Sequence, residues 1–212
     1  MELIRYLSDS YFTEEQLLAV SGIAQGELGA LQQRAMMPRP SYRVRIDVNC
    51  DSFFGAHQEH KQLDYYARSY ASWIGLLQSL GGEDDAFRVF AERYRARLVQ
   101  LKAAGLCTDN PKLNAGLDAY LREEWRHFLE GTYGVCTKTG LPEDIASKEL
   151  AATIIREIIG KPAGQALSTR DRVCLTLAVD LLDTASGQFA PHERERSSRH
   201  LLIDEVRKTY QL

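Results

Sequence analysis

Along most of the chain apolar residues recur every three or four positions, the period of an amphipathic helix, and Gly, Pro and Asn punctuate that pattern into one helix after another. From Ala86 to Ala104, Phe87, Phe90, Tyr94, Leu98 and Leu101 share a face, Arg93, Arg95, Arg97 and Lys102 fall mostly on the others, and Gly105 closes the segment. Asn110-Pro111 supplies a cap and a first-turn proline, and Leu113, Leu117, Leu121, Glu124 and Phe128 follow at helical spacing as far as Gly131. Pro142, Glu143 and Asp144 open the next helix with acids at the positive end of its dipole. Its apolar face is Ile145, Ile154, Ile155, Ile158 and Ile159, and Gly160 stops it. Ser168 with Asp171 is a capping box in its acidic variant. It introduces Val173 to Leu182, apolar almost all round and so expected to be the central buried helix.

One stretch breaks the helical period. Between Pro40 and Gly55, Tyr42-Arg43-Val44-Arg45-Ile46-Asp47-Val48 alternates strictly, as a short strand or extended arm does. The expected fold class is all-α: a helical bundle with this one extended arm. The arm divides a compact N-terminal unit, residues 1-40, from a helical body, residues 41-212. In the first unit Phe12-Thr13-Glu14-Glu15 starts a helix carrying Leu17 and Leu18, Gly22-Ile23 makes a turn, and Gln25 to Met36 forms a second helix with Leu28 and Leu31 inward. That spacing is helix-turn-helix-like. With Pro38 at its exit, the unit resembles the N-terminal reader of mercury-resistance-type (MerR) regulators over about the first forty residues. The resemblance implies DNA as a partner, but Gln25, Glu27, Gln32 and Gln33 face out and Arg34 is the one basic residue of the second helix. DNA binding is therefore disfavoured against a structural role or docking of a protein partner.

Composition narrows the class. With 212 residues, 44% of them hydrophobic and 26% charged, the chain has material for a real core and the balance of an ordinary globular protein. A net charge of -3 and a pI near 6.0 count against a general nucleic-acid or membrane-coating role. Cys50, Cys107, Cys136 and Cys174 form no C-x-x-C pair, so neither a zinc knuckle nor a disulfide framework is expected. Met1-Glu2-Leu3-Ile4-Arg5 lacks a secretory leader pattern, and no apolar run is long enough to span a bilayer. The expectation is a soluble cytoplasmic protein with reduced thiols and no membrane partner.

Candidate chemistry is concentrated late in the chain. Pro191-His192-Glu193-Arg194-Glu195-Arg196-Ser197-Ser198-Arg199-His200 brings three arginines, two histidines and two hydroxyls directly after an apolar segment. Guanidinium forks and paired hydroxyls at a helix start match a carboxylate or phosphate, so Arg194, Ser197, Ser198 and Arg199 are candidate anion ligands. The competing reading is structural. Glu193 and Glu195 neutralise the arginines, a serine caps the last helix, and Asp180 and Asp183 pair with arginines to hold that helix to the core. Lys148-Glu149 sits mid-helix among alanines and isoleucines, where a charge requires a partner; an arginine of the 194-199 stretch is a candidate for Glu149. Cys136 lies just before the Pro142 helix, with Lys138 beside it, and is the best nucleophile candidate. Its base would be His192, against the plain alternative of a buried structural thiol. His57 and His60 would share a face if helical, yet no third ligand accompanies them, so no metal site is nominated. Tyr65, Tyr66, Tyr70 and Trp73, read as following on a helix, are core or interface aromatics before they are a ligand pocket. No cofactor signature appears.

Laid in order, Pro40-Ser41-Tyr42, Ser52-Phe53-Phe54-Gly55, Tyr133-Gly134-Val135-Cys136-Thr137, Lys148-Glu149 and Phe189-Ala190-Pro191-His192-Glu193-Arg194 with Ser197-Ser198-Arg199 resemble a bacterial domain-of-unknown-function family whose members are labelled natural-product biosynthesis proteins. The resemblance covers nearly the whole chain. It implies a setting among specialised-metabolite genes, no established reaction, and Cys136, Thr137, Lys148, Glu149, His192, Glu193, Arg194, Ser197, Ser198 and Arg199 as the positions to watch. The resulting expectation is a protein that binds a small anionic metabolite, with its transformation as the option Cys136 and His192 leave open. The alternative is a regulator or docking module working through the N-terminal unit, with a homodimer or partner complex as its natural assembly.

Overall fold

A computed structural model of the chain describes residues 1–161 and 167–212, and in them the expected helices are joined by a sheet. The elements run α1 (Glu2–Ser10), β1 (Tyr11–Thr13), α2 (Glu14–Ser21), α3 (Gln25–Gln33), β2 (Tyr42–Ser52), β3 (Gly55–Ala67), α4 (Tyr70–Leu77), α5 (Glu83–Ala103), α6 (Leu117–Leu129), α7 (Thr132–Cys136), α8 (Pro142–Ile159), α9 (Thr169–Ala185) and α10 (Glu205–Tyr210). The strands form one antiparallel sheet in the order β1-β3-β2. The fold is thus mixed, mostly helical with a three-stranded sheet, and the all-α expectation is wrong. Its physical cause lies in β3. His57-Gln58-Glu59-His60-Lys61-Gln62 is exposed on both sides, so no apolar alternation betrays the strand. What defines it is the partner strand, paired without interruption from Tyr42–Tyr65 to Ser52–Gly55.

The same hairpin corrects two local expectations. His57 and His60 lie on β3, where an odd separation puts them on opposite faces, opposite Cys50 and Asp47 respectively. Tyr65 and Tyr66 are also on β3 and not on a helix: Tyr65 packs with Leu7 and Tyr11, while Tyr66 joins the main core with Tyr70 and Trp73.

Thr13 caps α2, its hydroxyl accepting from the Gln16 N–H at 3.3 Å while the Gln16 side chain accepts from the Thr13 N–H at 2.9 Å. Gly22 ends that helix at φ 67°, a left-handed conformation that suits glycine. Leu17 and Leu28 of this segment, with Met36 and Met37 after it, enter the main core, and β1 pairs with the far end of β3 at Tyr11–Ala67.

In the body, α8 is the central helix, packed between α5 and α9 and burying Ile145, Leu150, Ile154, Ile155 and several alanines. The expectation that Val173 to Leu182 would be central is corrected, because Val173 and Leu177 are 56% and 46% exposed and only one side of α9 is covered. Asn110 does cap, through its side-chain oxygen and the Lys112 N–H at 3.1 Å, but the turn it starts is a short 3-10 helix, Pro111–Leu113. The chain then reverses before α6. Trp73, Phe90, Trp125 and Phe128 form the aromatic centre, with Trp125 and Phe128 stacked at 5.2 Å and the Trp73 indole N–H donating to the Met36 carbonyl at 2.9 Å. Among the described residues no helix is long and apolar enough to cross a membrane.

Candidate functional site

Three far-separated stretches meet around α7. The Tyr11 hydroxyl donates to the Gly134 carbonyl at 3.0 Å, and the Tyr42 hydroxyl to Glu193 at 2.7 Å. The chain after α7 joins the end of α9 through a bridge between Thr137 and Ser186, with the Lys138 N–H on the Ala185 carbonyl at 2.8 Å. A Cβ on Gly134 would lie 2.0 Å from the Ser41 hydroxyl and one on Gly187 2.6 Å from the Val135 carbonyl, so glycine at both positions permits these approaches. They leave a cleft of about 470 Å3 bordered by Tyr6, Tyr11, Arg68, Ser69, Lys138, Thr139, Asp183 and Ser186.

The cleft is electrostatically uneven. Arg68 sits over the Phe12 ring and donates to the Ser8 carbonyl; neither it nor Lys138 has a carboxylate partner among the described residues. The acid on the wall, Asp183, is already occupied. One of its oxygens takes Arg199 and the other takes Arg207 at 2.7 Å, and although burial favours its neutral form, these two guanidiniums hold its carboxyl below the usual range. The Ser186 hydroxyl is buried with no hydrogen-bond partner. Burial raises the Tyr6 and Tyr11 hydroxyls above the ordinary tyrosine range, so both are neutral donors.

Behind α7 lies a second polar group, closed off from the cleft. Glu124 on α6 is 2% exposed and accepts from the Tyr133 hydroxyl at 2.6 Å. Glu149 on α8 accepts from the Tyr120 hydroxyl at 3.0 Å and from Lys148 at 2.6 Å. The Lys148 ammonium also stands 5.7 Å over the Tyr133 ring. Burial, and after it the nearby Glu149, push the Glu124 carboxyl up to about 7. For Glu149 burial acts the same way, but Lys148 overcomes it and holds the group below its normal range. The two acids therefore divide the work, one ionised against Lys148 and the other holding its proton near neutrality. The Tyr94 hydroxyl, buried and unpartnered, completes the group.

The sequence candidates fall into separate places. Cys136 ends α7 in this inner group, where burial pushes the thiol up despite Lys148 beside it. His192 is absent from its surroundings: its side chain is 57% exposed and its nearest acid is Glu193 at 3.8 Å. Lys148 and Glu149 pair with one another and Tyr120, and no arginine of the 194-199 stretch reaches Glu149. Arg194, Ser197 and Arg199 border a shallow depression of about 450 Å3, but Glu195 and Asp204 border it too, which cancels the charge. Arg199 is committed to Asp183. Ser197 caps the turn that leads into α10, accepting from the His200 N–H at 3.1 Å and donating to the Arg194 carbonyl at 2.6 Å, while the Ser198 hydroxyl is buried and unpartnered.

Sequence reasoning overlooked Arg68, Ser186 and Tyr120 and treated Lys138 only as a neighbour of Cys136. Glu124 had left a signal: it occupies an apolar-face position in the series Leu117, Leu121, Glu124, Phe128. Among the described residues no three His, Cys, Asp or Glu side chains are placed to share a metal.

No curated protein and no solved structure matches the chain. The model of one family, described as a family of unknown function (DUF6058), matches residues 86–211. That stretch is more than half of the chain and carries Lys138, Asp183, Ser186 and the whole inner group, so the chain belongs to this family of unknown function.

Proposed function

We propose that this protein binds a small anionic molecule in the cleft over α7. The observation that carries the reading is the charge arrangement: Arg68 and Lys138 face a cleft whose one acid, Asp183, is neutralised by Arg199 and Arg207. The unpartnered Ser186 hydroxyl and the neutral Tyr6 hydroxyl supply donors for a carboxylate or phosphate, while Tyr11 keeps its proton on the Gly134 carbonyl. A volume of about 470 Å3 suits a metabolite and not a polymer. Arg199 then serves the site from behind, by holding Asp183, and the 191-200 stretch stands outside the cleft wall instead of providing the ligand contacts. The resemblance to natural-product biosynthesis proteins fits a small metabolite as ligand. Binding is the extent of the reading, since the Cys136 thiol is kept protonated by burial.

The test is calorimetric titration of the full chain with inorganic phosphate, citrate and a set of short dicarboxylates, alongside native and denaturing mass spectrometry of freshly purified protein. At least one anion is expected to bind, with affinity lost in Lys138→Ala and Arg68→Ala while the melting temperature of the free protein holds. Absence of binding across the set, with no mass excess in the native spectrum, would sink the reading.

A further inference from the structure

The β2–β3 hairpin runs well beyond the body in which it is rooted. Every residue from Asp47 to Gln62 is exposed, and at the usual rise of about 3.4 Å per residue the outer half of the ribbon extends roughly 20 Å. Its tip presents Phe53 and Phe54, each 96% exposed. Two strands alone are marginally stable in water, so a ribbon of this length gains from being covered.

The edge it offers is open. β2 is the outer strand of the sheet, and its 11 residues contain no proline and pair with β3 without a bulge. The Tyr65 carbonyl points to the β2 side, where it accepts from the Ser41 N–H at 2.8 Å. By the alternation of an antiparallel ladder, the even-numbered residues of β2 then turn their backbone toward β3. Arg43, Arg45, Asp47 and Asn49 turn theirs to the open edge.

That edge is complementary to itself. With a second β2 laid antiparallel about a two-fold axis at Ile46, Arg45 faces the partner's Asp47, and Asp47 the partner's Arg45. Val44 faces the partner's Val48 on the other side of the sheet, and the outward backbone groups of both strands coincide. Moving the axis one residue either way sets Arg45 against Arg45 or Asp47 against Asp47. Within the chain Arg45 has no ion-pair partner among the described residues, whereas Arg43 is held by Asp64 at 2.8 Å. We infer that the outer edge of β2 is a homodimer interface, joining the sheets of two copies into one six-stranded antiparallel sheet centred on Ile46. The register carries the Phe53-Phe54 tip of each copy to the level of the partner's Arg39 and Pro38, where the rings gain cover.

Sedimentation velocity of the full chain over a concentration series tests this, with far-UV circular dichroism confirming that each variant is folded. The parent is expected to dimerise. Arg45→Asp should weaken the dimer roughly tenfold or more, because two cross-strand pairs turn repulsive at once, and adding Asp47→Arg should restore it. Asn49→Pro removes one outward N–H and should give a folded monomer. Ile46→Cys in a Cys50→Ser background should cross-link to a dimer on mild oxidation, since the two side chains meet on the axis. A parent that stays monomeric throughout, or a dimer indifferent to both Arg45→Asp and Asn49→Pro, overturns the inference. None of these residues borders the cleft, so either outcome leaves the anion titration to be judged by itself.

Discussion

The arginine-rich stretch after Pro191 and the inner group of Glu124, Lys148 and Glu149 use charge in opposite ways. The first packs its charges into ten successive residues and leaves Arg194 and Arg196 in water. The second gathers a few groups from α6, α7 and α8, buries Glu124 and leaves Lys148 and Glu149 only about 15% exposed. Density of charge along a sequence reports solvated surface as readily as a site. The energetic stake depends on how completely a charge is desolvated and on who compensates it.

The sharpest way to break that contrast is to remove one partner from the enclosed pair. Lys148→Met strands Glu149 without its cation, and urea denaturation should register a loss of about 3–5 kcal/mol, largely recovered when Glu149→Leu is added. At the edge of the arginine stretch, Asp183→Ala deprives Arg199 and Arg207 together and should cost about 1–3 kcal/mol by the same measurement.

A pH series sharpens the comparison further. Folding raises the Glu124 carboxyl from 4.5 to about 7, so between those values the folded state holds a proton that the unfolded chain has released. Stability should therefore fall as pH rises through that window, and Glu124→Gln should flatten the slope there. The smallest effect is expected from Arg194→Ala, where the side chain is exposed and forms no ion pair among the described residues; its melting temperature should match the parent's. A large loss at Arg194 would erase the distinction between the two regions.

What the sequence disclosed follows the same division. The helices at Ala86, Pro142 and Ser168 were legible because caps and apolar spacing are local, and Ser168 does cap, accepting from the Asp171 N–H at 3.0 Å. β3 was hidden because both faces of its outer part, residues 55–62, meet water. The cleft was hidden for another reason: Arg68, Lys138 and Ser186 carry no shared spacing, and only the fold brings them together. Lys148-Glu149 could be recognised as a problem from its apolar neighbours. The solution through Tyr120 and a protonated neighbour on α6 could not, since it depends on side chains about thirty positions away.

The hydrogen bonds that close the cleft also set an order in time. Tyr11 bonds to Gly134, 123 positions later, and Tyr42 to Glu193, 151 positions later. At a synthesis rate of about 5–20 residues per second, the early tyrosines wait roughly 6–30 s on the ribosome before their acceptors exist. The cleft is consequently assembled only after most of the chain has been made. During that interval the first strand and the long hairpin are the surfaces a nascent chain must keep from sticking elsewhere.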